Sequence, residues 1–296
     1  MARQTAHDFH PAVLRLFDRY VHGLIDRRGF LDGAGRYATA GVTATGLLEA
    51  LSPSYAEAQQ VAPDDRRLRA EYVDYDSPLG HGRMRGYLVR PAGASGRLPG
   101  IVVVHENRGL NPHIEEVARR AALADFVAFA PDALTPLGGY PGTDDEGRDL
   151  QRKLEQPKVQ EDFVAATRWL LGHADTTDRI GIVGFCFGGG IANLAAVRVP
   201  ELAAAVPFYG GQPRAEEVPA INAALLLHYA ENDERVNAGW PPYEAALDAN
   251  GKRYEMHMYP GTQHGFHNDT TPRYDRSAAE LAWERTVAFF NRHLRG

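Results

Sequence analysis

A single cysteine among 296 residues excludes any disulfide within the chain. The fold must stand on packing, and the lone thiol of Cys186 is either buried filler or a reagent. No run of about 18 uninterrupted apolar residues occurs, so no conventional transmembrane helix and no membrane span is expected. No long basic stripe offsets the formal net charge of -6, which removes the electrostatic basis for binding nucleic acid or an anionic bilayer. A small-molecule partner fits better. Paired cysteines and a His-Glu-x-x-His segment are both missing, so no metal and no cofactor is expected. Neither a repeat period nor a low-complexity segment stands out, and the length suits one large α/β domain with an extension.

Residues 1–65 read as a helical arm and 66–296 as a catalytic domain. Val13, Leu16, Phe17, Tyr20, Val21 and Leu24 recur at helical spacing, which predicts an amphipathic helix over 11–25. Asp26-Arg27-Arg28-Gly29-Phe30-Leu31 and the small-residue run through Leu51 resemble a twin-arginine export signal. Against this stand the late position of the arginine pair, Arg36 and Glu49 inside the apolar run, and the long apolar helix before it. The expected location is cytoplasmic, or periplasmic if the segment acts as a signal. Otherwise the arm is a pair of helices packed on the catalytic domain or on a second subunit, which would make a homo-oligomer.

From residue 71 onward strand and helix patterns alternate. Strands are predicted over 71–75, 83–89, 100–105, 126–129, 180–184, 203–209, 224–229 and 254–259, the fourth ended by Pro131. Helices are predicted over 114–124, 160–171, 191–197, 242–250 and 278–293. Such alternation implies an α/β fold with a mostly parallel sheet covered on both faces by helices. The stretch 134–149, with its Gly-Gly-Tyr-Pro-Gly turn, is either a wall over the site or a polar connection.

The sharpest signal is Ile180-Gly181-Ile182-Val183-Gly184-Phe185-Cys186-Phe187-Gly188-Gly189-Gly190. An apolar strand runs into a glycine-flanked residue and then a helix, and a turn that sharp needs glycine on either side of the exposed residue. The helix N-terminus just beyond favours a thiolate and later an oxyanion. Dinucleotide and phosphate loops are excluded, since the spacing is not Gly-x-Gly-x-x-Gly and no Gly-Lys-Ser/Thr follows.

A cysteine nucleophile needs an imidazole for its proton and a carboxylate to orient that imidazole. In α/β-hydrolases the order along the chain is nucleophile, acid, base. Asp233 follows the 224–229 strand, 47 residues after Cys186, and His264 follows the next strand, 31 residues later. Both positions lie past the carboxyl ends of strands, where open parallel sheets build their sites. His267 is the main rival to His264, whereas His228 and His257 fall inside strands. Glu231 and Glu234 read as solvated loop charges. Val104-His105-Glu106-Asn107-Arg108-Gly109 follows the strongest early strand, so the backbone N–H groups of Phe187 and Asn107 are assigned to an oxyanion hole.

Taken in order, the Gly-Phe-Cys-Phe-Gly-Gly elbow, the His-Glu-Asn-Arg-Gly segment, Pro207-Phe208-Tyr209-Gly210, Asp233 and His264-Gly265-Phe266 resemble the dienelactone hydrolase family from about residue 71 to the end. The resemblance implies an α/β-hydrolase fold and carboxymethylenebutenolidase-like cleavage of a small ester or lactone through an acyl-enzyme thioester. It implies that Cys186 attacks, His264 cycles the proton, Asp233 orients His264, and Glu106 takes part in activating the thiol. Tyr209 matches a tyrosine near the family's substrate pocket, and Tyr209, Arg108, Phe266 and Asn268 are the candidate substrate contacts. Where chlorocatechol-pathway members place an arginine that holds a substrate carboxylate, this chain has Asn268; Arg108 and Arg273 are each either a replacement charge or a surface residue. Two other readings compete: a non-catalytic scaffold that binds a small molecule or partner, and a thioesterase or peptidase on the same fold.

Overall fold

The computed structural model describes residues 4–39 and 41–295. Its strands are β1 Leu68–Ser77, β2 Gly82–Pro91, β3 Leu98–Val104, β4 Val127–Asp132, β5 Thr176–Phe185, β6 Ala204–Phe208, β7 Ala224–Asn232 and β8 Tyr254–Gln263. They form one sheet in the order β1-β2-β4-β3-β5-β6-β7-β8. β1 and β2 make an antiparallel hairpin at one edge, β2 pairs antiparallel with β4, and every pairing from β4 across to β8 is parallel. All five β6 residues are buried, as expected for a strand covered on both faces.

Four helices precede the sheet: α1 Pro11–Val21, α2 Arg27–Ala34, α3 Ala44–Leu51 and α4 Tyr55–Ala58. Within or after it come α5 Pro112–Leu123, α6 Asp144–Gln151, α7 Gln156–Leu171, α8 Phe187–Arg198, α9 Glu234–Asn237, α10 Trp240–Ala249 and α11 Arg276–Leu294. Alternate β3 residues serve opposite layers. Val102 and Val104 pack towards α7, α8 and α10, while Ile101 and Val103 pack towards α5 and α11.

The arm has a core of its own, in which Phe17, Tyr20, Phe30, Leu48 and Leu51 are buried together. Phe30 is completely enclosed, a burial that contributes roughly 1.5–3 kcal/mol. The arginine pair of the export-like pattern opens α2, in which Phe30 is edge-on to Phe17. The arm packs on its own chain through α6: Tyr20 Oη donates to Asp145 at 2.6 Å, Arg148 lies over the Tyr20 ring at 4.2 Å, and Arg152 donates to the Gly23 carbonyl at 2.6 Å. The 134–149 segment is therefore neither simple wall nor simple connection, since its end forms the helix on which the arm is seated. No helix of the described residues is long and apolar enough to cross a membrane.

Two boundaries depart from the sequence pattern for physical reasons. The first helix stops at Val21, not near residue 25, because Gly23 turns the chain with φ +71 and leaves Leu24 exposed. β4 continues through Pro131 to Asp132. Pro131 lies opposite Gly86 of β2, beyond the last β3 partner at Phe129, so its missing N–H removes no bond on the β3 side.

Candidate active site

β5 ends at Phe185, and the chain reverses at Cys186 with φ 56 and ψ -112 before α8 begins. A non-glycine residue held there is strained, and the surrounding packing has to enforce it. The glycines permit that packing. A Cβ on Gly184 would sit 1.9 Å from the Gly188 carbonyl oxygen, and one on Gly188 would sit 2.4 Å from that of Val104. The result is a half-covered thiol at the N-terminus of α8, whose first amides have no partner inside the helix.

β7 delivers Asp233 and β8 delivers His264 to the same carboxyl edge of the sheet. His264 Nδ1 lies 2.5 Å from Asp233 Oδ2, and Asp233 Oδ1 also accepts from the Val236 N–H at 3.3 Å, so the carboxylate is fixed from two sides. The Nδ1 bond leaves His264 Nε2 to face the Cys186 sulfur. Burial by itself would lower the pKa of His264, but the facing thiolate and then Asp233 outweigh it and raise it to about 10. Burial likewise opposes the thiolate, while His264 and then His22 bring the Cys186 thiol down to about 5. Both shifts run towards the charged forms, thiolate on the sulfur and imidazolium on the ring.

His22 is a residue the sequence reading did not anticipate. It caps α1, its Nε2 stands 3.4 Å from the Cys186 sulfur, and its ring meets the His264 ring edge to face at 4.6 Å. Its Nδ1 lies 2.7 Å from the Asp18 carbonyl oxygen and 3.2 Å from the Asp18 carboxylate. Only the i, i+4 spacing of Asp18 and His22 on one helix face could have hinted at a pair. One sulfur and two imidazole nitrogens within 4.8 Å of one another form a donor set of the kind zinc accepts. Arg235 Nη2, however, lies 2.9 Å from His22 Nε2, directing a fixed cation at the lone pair a metal would need.

The family model for the dienelactone hydrolase family matches residues 84–294, and a YqhI-like model matches residues 1–39. The chain belongs to the dienelactone hydrolase family. That places it among the carboxylic ester hydrolases. It is 34% identical over 224 residues to the "Probable 2-oxo-3-(5-oxofuran-2-ylidene)propanoate lactonase" of a Bradyrhizobium species, covering 71% of this chain and 90% of that one. It is 57% identical over 114 residues to the "Putative hydrolase fragment YghX" of Escherichia coli, covering 38% of this chain and 97% of the fragment. A solved structure named "Putative Dienelactone Hydrolase" from Klebsiella pneumoniae superposes with a TM-score of 0.65 at 28% identity, covering 75% of this chain and 98% of that one.

The remaining residues that the family resemblance singled out are placed unevenly. Glu106 is buried two residues past the end of β3, and its carboxylate accepts from Asn268 Nδ2 at 3.1 Å. Asn268 in turn accepts from the Thr270 amide at 3.0 Å, so it braces Glu106 where substrate contact was expected of it. Arg108 is buried and neutralised by Asp144 at 2.5 Å, which removes it as a free charge for a substrate carboxylate. Phe266 is fully enclosed against Tyr259 and Tyr209, with ring centroids at 4.9 and 5.6 Å, and is a core residue where a substrate contact was expected.

Tyr209 lies at the carboxyl end of β6 with φ 36 and packs its ring on His264 at 4.9 Å. Asn107 follows Glu106, and its side chain donates to the Val21 carbonyl at 2.7 Å, tying this loop to the arm. Phe187 is the first residue of α8. Arg273 is buried 3.8 Å from Asp18, behind the His22 pair. His267 is enclosed against Phe185 and Phe208, and burial pushes it well below the usual imidazole range. His228 bonds Thr286 and Tyr259 inside the sheet.

Proposed function

We propose that this chain hydrolyses a small ester or lactone through Cys186 as nucleophile, with His264 as the proton carrier and Asp233 as its orienting acid. The reading is supported above all by the convergence of the three on one strand edge, with the His264–Asp233 bond at 2.5 Å. The Cys186 thiolate attacks the carbonyl carbon, and the backbone N–H groups of Phe187 and Asn107 receive the oxyanion. Collapse breaks the C–O bond, and the His264 imidazolium gives its proton to the leaving oxygen, leaving a thioester on Cys186. In a lactone that oxygen stays tethered to the acyl chain. Water then attacks the thioester as His264 takes its proton, and the thiolate is expelled as the acid departs. The lactonase name of the Bradyrhizobium relative favours a lactone among these substrates.

The deciding experiment is hydrolysis of p-nitrophenyl acetate and of a dienelactone by wild type and Cys186→Ala, with circular dichroism on both. Turnover by wild type and none by the folded variant is expected. Turnover retained in the folded variant would overturn the proposal. An inert wild type on ester and lactone panels would favour a binding scaffold, and activity confined to acyl thioesters or peptides would move the enzyme to those classes.

A further inference from the structure

We propose that the N-terminal arm supplies a second carboxylate-backed imidazole to the nucleophile, Asp18 with His22, so that Cys186 is served by one ring from the sheet and one from the arm. The proposal rests on the thiol-hydrolase reading for its purpose, but its geometry stands apart from it.

His22 stands across the sulfur from His264, and in each ring Nε2 turns to Cys186. His264 Nδ1 bonds the Asp233 carboxylate, whereas His22 Nδ1 bonds the Asp18 carbonyl oxygen at 2.7 Å, with the Asp18 carboxylate 3.2 Å away. For His22 the proton position follows from its neighbours. The Asp18 carbonyl oxygen can only accept, so Nδ1 carries the hydrogen. The Arg235 guanidinium can only donate, so Nε2 of the neutral ring presents its lone pair between Arg235 and the sulfur. Arg235 and the thiol compete for that one lone pair, so the ring takes the thiol proton when the exposed guanidinium gives up its bond.

The position is also pinned. The residue before His22 gives its carbonyl to Asn107 Nδ2, and the residue after it gives its carbonyl to Arg152, at 2.7 and 2.6 Å. Gly23 can adopt its left-handed turn at no steric cost, ending the helix where the imidazole meets the elbow. A surface histidine brushing the site would need none of these restraints.

The proton balance is simple. The thiol hydrogen moves to Nε2 of one ring, giving thiolate and a single imidazolium, and the S–H bond is the only one broken. The facing rings repel each other when both are charged, so the proton resides on one at a time. When His264 has given its proton to a leaving group, His22 and Arg235 remain beside the sulfur to receive the thiolate that thioester hydrolysis regenerates. The charged and titratable groups around the sulfur are Asp18 and Arg273 behind His22, Arg235 beside it, Asp233 behind His264, and Tyr209 and Glu106 across the site.

The test is the pH dependence of iodoacetamide alkylation at Cys186 in the full chain, which needs no turnover. Wild type, His22→Ala, His22→Gln and Asp18→Asn are compared, with Cys186→Ala as the blank and hydrogen exchange confirming that the arm stays docked. Loss of the ring beside the sulfur raises the alkylation midpoint in His22→Ala and His22→Gln by about one pH unit, so alkylation below the midpoint slows about tenfold. Asp18→Asn shifts it in the same direction by less. An unchanged midpoint in both His22 variants overturns the proposal. So does faster alkylation at every pH with the wild-type midpoint, which would mean that the arm only screens the sulfur. His22→Gln decides the matter if the smaller side chain of His22→Ala undocks the arm. Hydrolysis by folded Cys186→Ala would sink the hydrolase reading while leaving this titration interpretable.

Discussion

Two imidazoles meet one sulfur, but the sheet and the arm hold theirs differently. Asp233 and His264 come from the ends of two neighbouring strands, and their side chains are only 2% and 5% exposed. Asp18 and His22 are successive turns of a single helix, 29% and 12% exposed, and their carboxylate–ring distance is 3.2 Å against 2.5 Å in the sheet pair. The sheet pair is therefore fixed by the parallel core, whereas the arm pair is only as firm as the docking of α1 on α6. A site assembled from both has one rigid half and one half that local unfolding can remove.

The comparison breaks most sharply at Asp233. Asp233→Asn leaves His264 in place but without its orienting charge, and kcat/KM is expected to fall by up to about ten-thousandfold. Asp18→Asn should cost far less, and kinetics on p-nitrophenyl acetate that rank the two the other way would reverse the assignment of roles.

Phe30→Ala attacks the arm alone. Emptying that enclosed site costs the arm about 3–5 kcal/mol, and hydrogen exchange should show α1 to α3 opening while β3, β5 and β6 stay protected. Uniform loss of protection would mean that arm and sheet unfold as one unit.

The pH profile sharpens the same contrast. A thiol lowered to about 5 is charged above that pH, and an imidazole raised to about 10 keeps its proton below it. The rate is expected to be level between those limits, falling on the acid side as sulfur is protonated and on the alkaline side as His264 loses its proton. Asp233→Asn should pull the alkaline limb to lower pH, while His22→Gln should move the acid limb to higher pH. A wild-type profile still rising through neutral pH would show that the resting ion pair does not form.

The smallest effect is expected at Asn268. Asn268→Ala leaves the buried Glu106 without its donor, at a cost of about 1–3 kcal/mol. Thermal unfolding reads the loss, and an unchanged midpoint would mean that Glu106 finds another partner.

What the sequence revealed follows from how local each signal is. The β5 run, the glycines around Cys186 and the strand ends before Asp233 and His264 lie within single strand–turn units, and their arrangement could be read directly. Arg108 could not be judged from its own neighbourhood, because its counter-charge Asp144 arrives from a distant helix. Phe266 misled through adjacency: the loop after β8 turns His264 to the sulfur and Phe266, two residues on, into the core. Asp18 and His22 were legible only as an ordinary helical pair. What gives them meaning is the seating of the arm on α6, which no periodicity within the arm encodes.

The chain carries one cysteine, and that cysteine is the poised sulfur at the elbow. An oxidant that converts it to a sulfenic acid meets no second thiol in the chain with which a protective disulfide could form. Recovery of that thiol must come from an external reductant such as a small cellular thiol, and under the proposed mechanism activity in stored protein tracks the thiol content of its buffer. The same solitude makes a thiol-directed fluorophore a reporter for this one position.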